Sequence, residues 1–447
     1  MKKVDVFVIG SGGAGRTVAK YCVKAGLKVA ISDNREYGGT CATRGCDPKK
    51  VLLGPTEVCE MASNLLGKGI SRPPELNWLD LQRFKLEFTK NVPQSTEKDL
   101  RELGIQLFHE SPRFISSDTL EVENSKIKAG KIVIATGYVP RLLNVKGAEF
   151  LNNSDDFLNL NNLPEEIVFI GGGYIGMEFS HMAARAGSKV TIIEHGSRIL
   201  SSFDKDMTRY LTNVTQDLGI RIVLNAEVIK IENVSNAYNV EFKQSDKVNI
   251  INTSMVFNTT GREPSIAMLN LEKANVNFSE QGIVVNEFLQ NTSNPRVYAC
   301  GDVSEHGLPL TPISAIQGEV VAHNILNGNS KKVNTPVVPS AVFTLPNLAS
   351  VGLSEDEARR KYNNVSVSYN SVQDWFSAKR INSPAYTFKV IWNNSTKLIL
   401  GAHLLGSNAA ETINIFAMAI NHDITIDKLK NTIFTYPSWI NDIKSMI

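Results

Sequence analysis

VDVFVIGSGGAGRTVAKYCVKAGLKVAISD, residues 4–33, joins an apolar run, a glycine cluster, a segment with helical spacing and a second apolar run that ends on an acid. Short apolar runs bounded by glycines read as buried strands, and the segment between them reads as a helix, giving a strand–turn–helix–strand unit. Residues 167–194 repeat the pattern: IVFI, then GGGYIG, then MEFSHMAARAG, then KVTII closing on Glu194. In both copies the acid stands 23 positions after the first glycine. A lone G-x-G-x-x-G is weak evidence. Two copies, each after a strand pattern, each opening a helix and each with an acid at the distance that reaches a ribose hydroxyl, indicate two dinucleotide sites. Gly10, Gly12, Gly13 and Gly15, and again Gly171, Gly173 and Gly176, let the backbone approach a pyrophosphate at a helix N-terminus.

The rest of the composition narrows the function. The chain has 447 residues, 42% hydrophobic and 21% charged, enough for more than one core. Its formal charge is +2 with Lys and Arg scattered, so there is no footprint for nucleic acid or an anionic membrane, and small molecules are the expected partners. No apolar run reaches bilayer length, and the N-terminal VDVFVIG, broken by Asp5, is unlike a signal peptide; the expected location is cytoplasmic. Five cysteines are too few for an extracellular framework, yet Cys41 and Cys46 lie five apart in GGTCATRGCDPKK, residues 38–50. In a reducing compartment a close pair reads as catalytic or metal-binding. No second cysteine or histidine cluster completes a zinc set, so no metal site is expected. Cys22 and Cys300 read as small buried hydrophobes.

GGTC-x4-GC-x-P-K-K, preceded by GSGGAG and followed by IATG at 134–137, GGGYIGMEF at 171–179 and YACGDV at 298–303, resembles the flavoprotein disulfide reductases. These are the class I pyridine nucleotide-disulfide oxidoreductases, including glutathione reductase, lipoamide dehydrogenase and mercuric reductase. The stretches at 341–358 and 398–420 are similar to that family's dimerisation domain, so the resemblance covers nearly the whole chain. It implies an α/β fold of two Rossmann-like domains, for FAD and NAD(P), plus a C-terminal α+β dimerisation domain. The expected FAD-binding part is 1–138 with 262–330, the NAD(P)-binding part is 139–261, and the dimerisation domain is 335–447, entered through TPVVPS. Residues from about 54 to 110 are expected to be helical.

Carried over by motif, the FAD contacts are Gly10, Gly12, Gly13, Gly15, Asp33, Gly39, Thr40, Lys50, Ala135, Thr136, Gly137 and Asp302. The nicotinamide cofactor falls to Gly171, Gly173, Tyr174, Ile175, Gly176, Glu194 and Gly261, with Tyr174 covering the nicotinamide pocket. Glu194 accepts a ribose 2′-OH and repels a 2′-phosphate, which favours NADH over NADPH, although His195 and Arg198 stand close enough to receive a phosphate. Lys49 and Glu178 coincide with the family's pair beside the reactive flavin nitrogen. Cys46 then receives electrons from the flavin, and Cys41 attacks the outside substrate. A helix start and nearby positive charge lower a cysteine pKa; Lys49 and Arg44 are the candidate charges, with a solvated Arg44–Asp47 pair as the plainer reading of Arg44.

Near the C-terminus the sequence departs from that pattern. Family members acting on disulfides carry a His-Pro segment, with Glu five residues after the His, that reaches across the dimer as acid and base. Here the segment is TYPSWIND, with Tyr436 in place of His and Asn441 in place of Glu. A tyrosine, with a pKa near 10, is a poorer proton shuttle at neutral pH. One resolution is a disulfide or activated sulfur compound whose leaving group departs as a stable anion. The alternative is a non-disulfide acceptor: a quinone, oxygen or a metal ion. Mercury itself is disfavoured, because no cysteine follows Cys300 to form mercuric reductase's C-terminal pair. The expected enzyme is a homodimer with a shared active site, serving cell redox homeostasis.

Overall fold

The computed structural model describes all residues from Met1 to Ile447. The chain separates into two compact units: Met1–Val51 with Arg83–Arg141 and Arg262–Thr335, and Leu52–Gln82 with Leu142–Gly261 and Pro336–Ile447.

The first unit is built on a seven-stranded sheet. Strand β1 (Lys2–Ile9) lies between β2 (Val29–Ser32) and Ser125–Ile134, parallel to both. Gln106–Phe108 extends β2 in parallel, Val297–Ala299 pairs in parallel with Ser125–Ile134, and Arg113–Ser116 and Thr119–Val122 add an antiparallel edge. The last four residues of β1, Val6 to Ile9, are buried, as expected of a parallel strand covered on both faces. Helix α1 (Gly13–Lys24) makes the crossover from β1 to β2 and buries Val18, Ala19 and Cys22. Cys22 and Cys300 are fully buried, and burial pushes both thiols up to about 12, so neither is reactive near neutral pH.

The cysteine segment forms two helices, α2 (Thr40–Arg44) and α3 (Cys46–Asn64), separated by Gly45. Two more follow, α4 (Trp78–Thr89) and α5 (Val92–Glu102). The helical region stops short of the expected residue 110. Gly104, at φ +80°, turns the chain out of α5, and the segment beyond it enters the sheet as Gln106–Phe108. Residues 65–77, with Gly67, Gly69, Pro73 and Pro74, are also outside helices, because these residue types break them.

In the second unit, Glu166–Ile170 is flanked in parallel by Lys189–Ile193 and Met255–Asn258, and Arg221–Val223 completes a four-stranded sheet. Helix Tyr174–Arg185 crosses between the first two of these strands. An antiparallel meander of Ala226–Val234, Ala237–Gln244 and Lys247–Thr253 is inserted before Met255–Asn258. From Ser340 the chain forms a five-stranded antiparallel sheet with helix Ala409–Asn421 packed on it, an α+β arrangement.

One charged cluster ties this last sheet to helix Lys205–Asp217, which follows the four-stranded sheet's Lys189–Ile193 strand. Lys389 is 1% exposed, and its Nζ lies 2.9 Å from Asp204 Oδ2, 2.6 Å from Asp206 Oδ2 and 3.5 Å from Glu355. Asp204 also caps helix Lys205–Asp217, accepting from the Asp206 and Met207 N–H groups. Its carboxyl stays below the usual carboxylate range because these hydrogen bonds and the ammonium outweigh its burial.

Candidate active site

The first glycine motif acts through two close approaches. Gly10 has φ +106°, and a Cβ there would stand 2.3 Å from the Ala135 carbonyl oxygen; a Cβ on Gly15 would stand 2.0 Å from the Gly10 oxygen. The strand end, the Ala135 turn and the start of α1 therefore meet without room for a methyl group. Around Gly13 there is open space, and the nearest atom to a Cβ on Gly12 is 4.0 Å away. The α1 N-terminus thus presents unpaired N–H groups to a clear cradle, with no acid in its first turn to repel an anion. Asp33 closes the motif: Oδ2 accepts from the Ser11 N–H at 2.8 Å and from Ser11 Oγ at 2.6 Å, and Oδ1 accepts from Arg35 N–H at 3.0 Å.

Two further features of this unit fit a polar ligand with hydroxyl groups. Thr136 Oγ1 is buried with no hydrogen-bond partner. Burial raises the Asp302 carboxyl, with Arg262 at 3.8 Å and Ser314 Oγ at 3.5 Å as its neighbours. An orphaned hydroxyl and an incompletely neutralised carboxylate beside an open pyrophosphate cradle suit FAD. Gly137, at φ +65°, has open space about it, and Lys50 is exposed on α3.

The cysteine pair sits against the same cradle. Gly39, at φ +79°, has no space for a side chain, since a Cβ would stand 2.4 Å from Gly12 Cα; this contact seats Thr40, the first residue of α2, next to the glycine loop. Cys41 is half-buried, and Cys46, the first residue of α3, is exposed. Thr311, which opens helix Thr311–Asn327, has its Oγ1 3.7 Å from Cys46 Sγ. The Cys41 thiol donates to the Cys46 sulfur, and this bond, with help from Thr311 and the Lys49 ammonium, outweighs desolvation and brings Cys46 down to about 6. Cys41 moves the opposite way, well above its ordinary value, because ionising it would surrender that bond and place two thiolates side by side. Arg44 pairs with Glu36 at 3.3 Å and donates to Thr43 Oγ1 at 2.9 Å, and it is buried.

The second glycine motif repeats the first. A Cβ on Gly171, at φ +106°, would meet the Thr259 carbonyl oxygen at 2.7 Å, and one on Gly176 would meet the Gly171 oxygen at 2.2 Å. Gly173 precedes helix Tyr174–Arg185 with its surroundings clear to 3.9 Å, and Gly261, at φ +134°, faces open space. Ile175 is half-buried in the first turn of that helix, and Tyr174 is exposed. Glu194 accepts from Gly172 N–H at 2.6 Å and Gly196 N–H at 2.7 Å, and His195 Nδ1 lies 2.9 Å from Oε1. Arg198 is directed elsewhere: it donates to the Phe203 carbonyl at 2.9 Å, to Thr208 Oγ1 at 3.2 Å and to the carbonyls of Leu200 and Ser201. Glu178, only 3% exposed, accepts from Phe343 N–H at 2.8 Å. Tyr436 is 78% exposed on the C-terminal segment, and Asn441 N–H donates to Ser438 Oγ at 3.2 Å.

Sequence reasoning missed Thr311. A Thr-Pro dipeptide opening a helix was visible as a helix start, but its distance of 265 positions from Cys46 left no local signal linking the two. No cluster of three or more His, Cys, Asp or Glu side chains is arranged to hold a metal ion, and no helix is long and apolar enough to cross a membrane.

Two dinucleotide cradles, one of them beside a cysteine pair, define a flavin-dependent oxidoreductase of sulfur groups. The model of the pyridine nucleotide-disulphide oxidoreductases matches residues 4–318, and that of the same family's dimerisation domain matches residues 338–447. The chain belongs to this family, and is an FAD-dependent NAD(P)H:disulfide oxidoreductase with the α/β fold and dimerisation domain expected from sequence. It is 32% identical to a glutathione reductase of Nostoc over 99% of each chain, and 31% identical to the probable pyridine nucleotide-disulfide oxidoreductase RclA of Escherichia coli over the whole of both. Similarity to a mercuric reductase of Bacillus cereus is 30%, over 98% of this chain and 70% of that one. The solved structure of RclA, described as an HOCl-induced flavoprotein disulfide reductase, superposes with a TM-score of 0.87 at 30% identity over 99% of both chains, and its Cu(II) complex with a TM-score of 0.88.

Proposed function

We propose that Cys41 and Cys46 are the redox-active pair, that Cys46 is the resting thiolate of the reduced enzyme and Cys41 the attacking group, and that the acceptor is a small disulfide or an activated sulfur compound. The observation that carries this reading is the placement of the two sulfurs: Cys46 begins α3 with Thr311 Oγ1 3.7 Å from its Sγ, and Cys41 lies half-buried on α2, which the Gly39–Gly12 contact seats beside the first glycine loop. Hydrogen bonds from Cys41 and Thr311 and the charge of Lys49 favour the Cys46 thiolate, and the same bond raises Cys41. FAD, when bound, converts hydride from the nicotinamide cofactor into the electron pair that reduces the disulfide. Gly10, Gly12, Gly13, Gly15, Gly39, Thr40, Lys50, Ala135, Thr136 and Gly137 would hold it, with Asp33 on its ribose and Asp302 on its ribityl hydroxyls. Gly171, Gly173, Ile175, Gly176 and Gly261 would hold the nicotinamide cofactor, with Tyr174 over its pocket. Lys49 and Glu178 would serve the reactive end of the flavin. The three-part division 1–138 with 262–330, 139–261 and 335–447 assigns these duties.

NADH is the proposed donor. Glu194 already bonds two backbone N–H groups, so its charge is fixed where a 2′-phosphate would lie. Arg198 directs its guanidinium to carbonyl oxygens and Thr208, away from a role as phosphate clamp. Glu194→Ser is expected to lower the NADH-to-NADPH ratio of kcat/KM by about 10- to 100-fold, since it removes like-charge repulsion and a ribose acceptor together; an unchanged ratio would show that Glu194 does not select the cofactor.

The proposed assembly is a cytoplasmic homodimer in which Tyr436 of one subunit serves the cysteine pair of the other. A leaving group that departs as an anion would compensate for the missing His and Glu. The test is anaerobic titration with NADH while free thiols are counted. About two electrons per subunit, a long-wavelength thiolate-to-flavin band and two new thiols are expected; flavin bleaching without new thiols would remove the cysteines from the electron path. A second reading, reduction of a metal ion, draws on the Cu(II) complex of RclA. It is separated from the first by Cys41→Ser, which would largely spare Cu(II) reduction and abolish disulfide reduction.

A further inference from the structure

Leu200 holds a backbone shape that its own side chain opposes. Its φ is +48°, in the left-handed region where a Cβ crowds the following carbonyl, and a branched residue stays there only when its surroundings impose it. The side chain is 4% exposed, so this is no surface turn. Leu200 lies in the segment 195–203, between Glu194, the acid that closes the second glycine motif, and Asp204, the cap of helix Lys205–Asp217.

The bonds that impose the strain run in two directions. On one side, Leu200 N–H donates to the Gly172 carbonyl at 2.9 Å. Gly172 N–H in turn donates to Glu194 Oε2 at 2.6 Å, and a Cβ at 172 would stand 3.0 Å from Ile199 Cγ2 and 3.2 Å from Glu194 Oε2. The middle glycine of the motif is thus gripped between the acid and residues 199–200, and its peptide cannot shift without them. On the other side stands Arg198. Its guanidinium donates to the carbonyls of Leu200 at 3.5 Å and Phe203 at 2.9 Å, to that of Ser201, and to Thr208 Oγ1 at 3.2 Å in the first turn of the capped helix. That turn is fixed in its own right, because its cap Asp204 is bonded to the buried Lys389. One rigid fork of donors therefore staples three carbonyls of the strained segment to an anchored helix.

We propose that Arg198 is a positioning residue for the nicotinamide cofactor, which holds residues 195–203 in the strained form that fixes the Gly172 peptide and Glu194 where the cofactor binds. This role deepens the proposed function and rests on the second glycine motif being the nicotinamide site. It differs from a phosphate clamp in what it predicts: the frame it holds serves NADH and NADPH alike, and Glu194 selects between them. Arg198 acts before the chemistry, so its loss falls on cofactor binding and leaves turnover at saturation unchanged.

The experiment uses the FAD-loaded enzyme and its Arg198→Met, Arg198→Lys and Thr208→Val variants, measuring the Kd of NAD⁺ and of NADP⁺ by calorimetry, KM and kcat with NADH, and Tm. Arg198→Met is expected to raise both Kd values and the KM for NADH by about 5- to 50-fold, with kcat and the ratio of the two Kd values unchanged. Arg198→Lys should recover part of the loss, since an ammonium reaches fewer carbonyls than a guanidinium. Thr208→Val removes one acceptor; it should give a smaller loss in the same direction, and it reads the effect where the methionine variant does not fold. A rise for NADP⁺ alone overturns the proposal by making Arg198 a phosphate clamp. A lowered Tm with both Kd values unchanged overturns it by leaving Arg198 a share in stability only. Loss of flavin from Arg198→Met would place FAD at this motif, and the reading on which the role rests would fail with it.

Discussion

Cys41→Ala is expected to reduce disulfide turnover by about 10³-fold or more and, in the same protein, to raise the ionisation midpoint of Cys46. Both effects come from one atom. The Cys41 sulfur is the proposed nucleophile, and its proton is the largest influence holding Cys46 near 6. The sign follows from the direction of the shift: a thiol depressed from 9.0 to about 6 is an anion above that value and loses its charge as the pH falls through it. Disulfide turnover by the wild-type enzyme should therefore decline below about pH 6, together with the thiolate absorbance of the reduced enzyme. In Cys41→Ala the absorbance midpoint should move up toward the ordinary cysteine range, to a position set by Thr311 and Lys49 against desolvation. A midpoint left near 6 would show that Cys41 does not donate to Cys46. Retained turnover would transfer the electron path away from the pair.

Gly176→Ala should separate the two cofactors. A Cβ at 176 would lie 2.2 Å from the Gly171 carbonyl oxygen and 2.8 Å from Thr259 Oγ1. The nearer of these is backbone, and Thr259 Oγ1 is itself engaged with the carbonyls of Ile170 and Gly171, so no flexible side-chain end can yield. The helix must move away from its strand, and overpacking of this kind costs about 1–3 kcal/mol. That predicts a rise in KM for NADH of about 5- to 150-fold with flavin content unchanged. Gly15→Ala meets an equivalent contact, 2.0 Å from the Gly10 oxygen, in the other motif. It should instead yield protein with little bound flavin. Steady-state kinetics and flavin-to-protein absorbance ratios read the two effects independently. Loss of flavin from Gly176→Ala would show that the second motif also serves FAD.

The two nucleotide folds were legible because their information is local. A short apolar run, glycines at fixed offsets and a terminal acid all lie within 30 residues, and the first and last glycine of each motif make contacts in which a methyl group has no room. What the pattern left open was long-range or orientational. Thr311 reaches Cys46 through the packing of distant segments, which no periodicity encodes. Arg198 stands near Glu194 in sequence, but its direction depends on which carbonyls the next turn offers. The break at Gly45, which makes Cys46 the first residue of its own helix, was not visible as a boundary in TCATRGCDPKK. Yet that break gives Cys46 its place at a helix start.

The Lys389 cluster bears on how the chain can be divided. The strand that carries Lys389 belongs to the dimerisation sheet, yet its ammonium completes the cap of a helix in the nucleotide-binding part. A polypeptide cut near residue 335 would keep Asp204 and Asp206 and lose the buried cation between them, leaving Asp206 with Arg209 and Asp204 with the backbone N–H groups of its cap. The boundary between the two matched family segments is therefore not one of autonomous folding.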